Sequence, residues 1–102
     1  MKKIKTAKQM ERHFKGIANH RRIDIILLIS RAKGITVEGI VENLNCNFKT
    51  ISGHTKVLVQ SGLVNKNYVG KSVVHSLSPY GKIFAEFIKS FSYSREYEND
   101  KY

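Results

Sequence analysis

Between Thr36 and Gly62 the chain sets two helix-length apolar patterns only three residues apart, and this spacing limits the folds open to it more than any other feature. Val37, Ile40, Val41 and Leu44 recur at i, i+3, i+4 and i+7 behind Thr36, whose hydroxyl can cap a helix end. Asn45 ends that helix. Asn47 can cap the next one, Phe48 to Ser61, which Gly62 closes, so Asn45-Cys46-Asn47 is the whole connection. Two helices joined so tightly form a helix-turn-helix.

The flanking segments extend this unit on both sides. Residues 4 to 18 space Ile4, Ala7, Met10, Phe14 and Ile17 at near-helical intervals among Lys and Arg, which predicts a basic amphipathic first helix. Asn19 can cap a second, largely buried helix from His20 to Ala32, with Ile23, Ile26, Leu27 and Ser30 on one face and Gly34 as its stop. Beyond Gly62 the period changes. Leu63 to Tyr68 and Ser72 to Leu77 flank a Val69-Gly70-Lys71 turn and predict a β-hairpin. Ser78 and Pro79 then open a last helix carrying Tyr80, Ile83, Phe84, Phe87, Ile88 and Phe91. The expected fold is mainly α with a small hairpin, ordered α-α-α-α-β-β-α. It forms one domain over residues 1–92, followed by a polar tail over 93–102 that is expected to fray.

Composition removes several alternatives. A chain of 102 residues with 41% apolar side chains suits one packed core. Its longest apolar run, Ile25 to Ile29, is far short of the roughly 20 residues of a membrane span. No secretory h-region follows the amino-terminal lysines, so a soluble, cytoplasmic protein is expected. One cysteine, Cys46, excludes an intrachain disulfide, and one proline, Pro79, leaves no linker. Eighteen Lys and Arg against eight Asp and Glu give a formal charge of +10, a field that attracts polyanions and nucleic acid first among them.

Three stretches carry a more specific likeness. Residues 18 to 29, Ala-Asn-His-Arg-Arg-Ile-Asp-Ile-Ile-Leu-Leu-Ile, resemble the opening of the ArsR family of transcriptional regulators, Ala-Asn-Pro-x-Arg before an apolar helix, with His20 in place of proline. Residues 47 to 64 resemble the family's recognition segment at Ser52, His54, Leu58, Gly62, Leu63 and Val64. Gly70, Lys71, His75 and Leu77 resemble its wing signature Gly-Arg-x-x-x-Tyr-x-Leu, with Lys for Arg and His for Tyr. The resemblance covers about residues 18 to 81. It implies a winged helix-turn-helix homodimer built by the first and last helices, with helix 48–61 in a major groove and wing 64–77 on the backbone of a pseudo-palindromic operator.

The side chains of that helix, taken alone, fit a solvated polar face as well as DNA contact, and the surrounding motif turns the balance to DNA. Ile51, Leu58 and Val59 would face the core, while Lys49, Thr50, Ser52, Gly53 and Lys56 offer donors, small hydroxyls and a gap for close approach to bases and phosphates. Lys66 and Lys71 flank or occupy the hairpin turn and suit phosphates. Arg21 and Arg22 can face phosphate at a helix start, or Arg22 can pair with an internal acid; both readings stand. Met10, Phe14, Phe84, Phe87, Ile88 and Phe91 are the expected dimer contacts, unless Phe84, Phe87 and Phe91 close the monomer's own core. Double-stranded DNA and a second copy of the chain are therefore the expected partners. A protein-docking winged helix and a non-specific architectural DNA binder are the alternatives.

Neither metal sensing nor catalysis is expected. Many members of the resembled family use a Cys-x-Cys pair on the third helix or a His and carboxylate set on the last. This chain offers Glu38, Glu42, Asn43 and Cys46 near the one and Glu86 on the other. Cys46 stands where the family has a buried leucine and reads as a small core residue. His13, His20, His54 and His75 are dispersed, without the i, i+4 pairing of a helical zinc site, so no metal or cofactor is expected. His54 is expected to make a structural hydrogen bond within the helix-turn-helix, and His75 to pack beneath the wing. No nucleophile elbow, P-loop or paired carboxylates point to an enzyme.

Overall fold

The computed structural model describes residues 3–93, so the frayed tail expected over 93–102 lies outside it except for Tyr93. α1 spans Ala7–Ile17, and its start is fixed by a reciprocal cap: Gln9 N–H donates to Thr6 Oγ1 at 3.1 Å and Thr6 N–H to Gln9 Oε1 at 2.9 Å. The periodicity had placed the start at residue 4. Ile4 instead lies outside the helix and is 96% exposed, because the cap outweighs an isolated apolar residue. α2 spans His20–Arg31, with Asn19 Oδ1 accepting from the Arg21 and Arg22 amides at 2.9 and 3.3 Å.

The inward face of α2 also differs from the one expected. Ile25, Ile26, Leu28 and Ile29 are buried, whereas Ile23, Leu27 and Ser30 are only partly so. α2 is enclosed by α3 (Val37–Leu44), α4 (Phe48–Gln60), α5 (Pro79–Ser92) and the hairpin. A helix covered on several sides does not show one apolar stripe, and the i, i+3, i+4 pattern misplaces its centre.

α3 and α4 have the caps expected, Thr36 and Asn47, and are separated by Asn45 in the left-handed conformation at φ 50°. β1 (Val64–Val69) pairs antiparallel with β2 (Ser72–Leu77), from Val64 opposite Leu77 to Val69 opposite Ser72. The turn therefore has two residues, Gly70 and Lys71, not three. Gly70 carries φ +62° at the first position and Lys71 has no positive φ, as a type II′ turn requires. Leu63 belongs to the core below the strand.

The hairpin is anchored at its base rather than its tip. His75 is buried, receives the Gly34 amide on its carbonyl at 2.9 Å, and gives its own amide and Nδ1–H to the Ile35 carbonyl at 2.9 and 3.1 Å. This is the place beneath the wing expected for it. Around it the core gathers Ile17, the four α2 residues, Ile40, Ile51, Leu58, Leu63, Val64 and Ala85, with Cys46 half-buried at its edge. α5 approaches so closely at Gly81 that a Cβ there would overlap the Leu63 carbonyl. The molecule is a slab of 44 × 42 × 21 Å, one core layer thick.

Candidate nucleic-acid interface

α4 sorts its residues cleanly around its axis. Ile51, Thr55 and Leu58 are buried and Val59 packs partly against the core, so Lys49, Gly53, Lys56 and Gln60 fall on the outermost line. Thr50 and Ser52 flank that line, half-buried on either side. Gly53 has nothing within 4 Å of where a Cβ would stand, which leaves helix backbone open to an approaching group. A glycine inside a helix costs about 0.5–1 kcal/mol relative to alanine, and no packing contact in the chain calls for it.

On one flank, α4, the start of α3 and the hairpin enclose an open groove of about 950 Å³, whose lining includes the acid Glu38 and the apolar Val37, Val59 and Val73. Ser52 and Lys56 from the helix and Lys66 and Lys71 from the wing line it together, with Phe48 at the helix start. Four of the residues singled out in the sequence are thus brought to one concave surface. The position of Lys71 follows from the two-residue turn.

On the other flank stands the start of α2. Arg22 Nε–H donates to the Gly16 carbonyl at 2.6 Å and its Nη1 to His54 Nδ1 at 3.1 Å, joining α1, α2 and α4. Of the two readings left open for Arg22, the internal acid gives way to a carbonyl and a ring nitrogen. His54 makes a structural hydrogen bond, but to Arg22 of α2 and not within the helix-turn-helix as expected. Burial, the guanidiniums of Arg22 and Arg21, and His20 hold its pKa below the usual 6.5, in keeping with a ring nitrogen that accepts from arginine. Arg21 has no such engagement and remains half-exposed beside the α4 face.

Little of the positive charge is neutralised. Among the described residues only Lys15 and Lys89 form ion pairs with carboxylates, to Glu11 at 3.2 Å and Glu86 at 3.5 Å. Every buried side-chain polar atom among them has a hydrogen-bond partner, and none of their His, Cys, Asp or Glu side chains group in threes or more to hold a metal ion. No described helix is long and apolar enough to cross a membrane.

A second surface lies on α1 and α5. Phe14 meets Phe84 edge to face at 5.1 Å and Phe87 stacks on Phe91 at 5.9 Å, so the two helices share one aromatic band. Its residues divide: Phe84 and Ile88 pack partly on the core, while Met10, Phe14, Ile83, Phe91 and Phe87, the last 61% exposed, face outward. The alternative in which Phe84, Phe87 and Phe91 close the monomer's core therefore holds for Phe84 alone.

Residues 19–66 match the family described as bacterial regulatory protein, arsR family. The match covers just under half of the chain, and the fold is that of a winged helix-turn-helix protein. Its fold is similar to that of HlyU from Vibrio cholerae, at 23% identity and a TM-score of 0.76 over 87% of this chain and 97% of that one. It is similar also to a homodimeric winged helix-turn-helix DNA-binding domain from Mycobacterium bovis, a possible ArsR-family transcriptional regulator, at 21% identity and a TM-score of 0.78 over 93% and 88% of the two chains. The transcriptional repressor PagR of Bacillus anthracis gives 18% identity and a TM-score of 0.74 over 79% and 93%. No curated protein sequence matches. The matched family is one of bacterial regulatory proteins.

Two residues, one on the groove and one buried, escaped the sequence reading. Phe48 lies more than half exposed at the mouth of the groove. By period it falls inside the apolar arc of α4, between Thr55 and Val59, and yet as the first residue of the helix it is exposed. His13 is buried, donates Nδ1–H to the Ser61 carbonyl at 2.7 Å and stacks on Tyr80 at 4.6 Å, fastening α1 to the end of α4 and to α5. Its signal was a histidine on the inward side of a helix otherwise marked only by apolar residues.

Proposed function

We propose that the ArsR-like chain is a sequence-specific regulator of transcription that binds double-stranded DNA as a homodimer. The observation that carries this is the shared groove: Ser52 and Lys56 of α4 and Lys66 and Lys71 of the wing line one concave surface, and none of these lysines is in an ion pair among the described residues. α4 enters the major groove, with Lys49, Thr50, Ser52, Gly53 and Lys56 toward base edges and nearby phosphates. Lys66 and Lys71 lie along the backbone and supply affinity. Arg21 reaches a phosphate from the other flank, while Arg22 steadies α4 through His54. The exposed aromatic band of α1 and α5, with Met10, Phe14, Phe84, Phe87, Ile88 and Phe91, meets its two-fold copy and sets two α4 helices one DNA turn apart.

The test is selection from a random duplex pool at near-physiological salt. Enrichment of a pseudo-palindromic site is the expected result. Uniform affinity across sequences would instead favour an architectural role, and absence of duplex binding would favour a protein-docking winged helix.

A further inference from the structure

We propose that Phe48 reads the C5-methyl group of a thymine in each half-site, an inference that rests on the DNA-binding reading above. Phe48 is the first residue of α4, 55% exposed, and stands one turn before Ser52 on the side of the helix that faces the wing. Its ring contributes little to the core, which Ile51 and Leu58 complete behind it. It is also separate from the aromatic band, which runs along α1 and α5. A large apolar ring therefore stands exposed on a groove whose lining joins the polar or cationic Ser52, Lys56, Lys66 and Lys71 to Glu38 and the apolar Val37, Val59 and Val73.

The occupant follows from chemistry. An exposed ring among cations does not bind phosphate, and the apolar group that a base pair presents in the major groove is the methyl of thymine. With α4 lying in that groove, the lysines hold the backbone and Ser52 reaches a base edge. Phe48, at the leading end of the helix, then meets the methyl and shields it from water. Burying one such group is worth about one methylene, a change of roughly three- to tenfold in affinity.

Deoxyuridine differs from thymidine only in lacking this methyl, so it isolates the contact. Each thymine of the selected operator is replaced singly, in symmetric pairs, by deoxyuridine, and the full chain and its Phe48→Ala variant are titrated on every duplex. One symmetric pair should weaken binding by the wild type roughly three- to tenfold per half-site, and Phe48→Ala should bind both duplexes of that pair equally. A Phe48→Leu variant, apolar and able to fold, should keep part of the difference. If deoxyuridine is neutral at every position of a tightly bound operator, or if the difference persists in Phe48→Ala, the proposal is overturned while the regulator reading stands. If no operator is selected at all, both fall.

Discussion

Gly53 separates the demands of folding from those of binding. With open space around its missing Cβ, alanine fits without a clash and relieves the helix of glycine's flexibility. Gly53→Ala should raise the melting temperature by about 2–8 °C, read by circular dichroism, and weaken binding to the selected duplex. Unchanged binding would remove Gly53 from the contact surface. His54 gives a pH prediction whose sign follows from its lowered pKa. The folded state holds a proton on His54 less readily than the unfolded chain does. The neutral ring's contribution is therefore complete above about 6.5 and is lost as pH falls through the folded value. Thermal stability should drop on acidification below that point. His54→Asn, which keeps an acceptor for Arg22 but does not titrate there, should flatten the drop. A His54→Asn profile parallel to the wild type would assign the acid sensitivity to other groups.

At the scale of elements, the wing is proposed to act through charge. Replacing Lys66 and Lys71 together by alanine should weaken binding to specific and random duplexes alike, and should reduce the slope of log affinity against log salt by about 2. An unchanged slope would place the wing away from phosphates. The packing of α5 yields a second test: Gly81→Ala forces a methyl into the Leu63 carbonyl, so urea unfolding should show a loss of several kcal/mol, of the kind overpacking brings. The elements themselves were legible because caps and turns are local. Thr36, Asn47, Gly62 and Ser78 mark helix ends by chemistry within a few residues, and Gly70 marks the hairpin. Less legible was whatever depends on neighbours distant in sequence. The buried face of α2 is decided by three helices and a hairpin around it, and the partners of Arg22 and His13 lie on other elements. The outer line of α4 was readable because one side of that helix alone meets the core. Phe48 was not, since by period it falls on that side and yet as the first residue of the helix it is exposed.

The whole molecule is a slab thin enough that one core layer cannot cover both α1 and α5. On the proposed two-fold assembly, Phe87→Glu should convert a dimer to a monomer in light scattering and should abolish enrichment of paired half-sites, while leaving the helix content intact. A monomeric wild type would transfer the aromatic band to another partner. The band has a further consequence in the cell. Where chains meet only in pairs, the pool of complete regulator rises with the square of the free chain concentration until pairing saturates. Control of the target gene would then begin at a threshold in copy number, and the strength of the aromatic contact would set where that threshold lies.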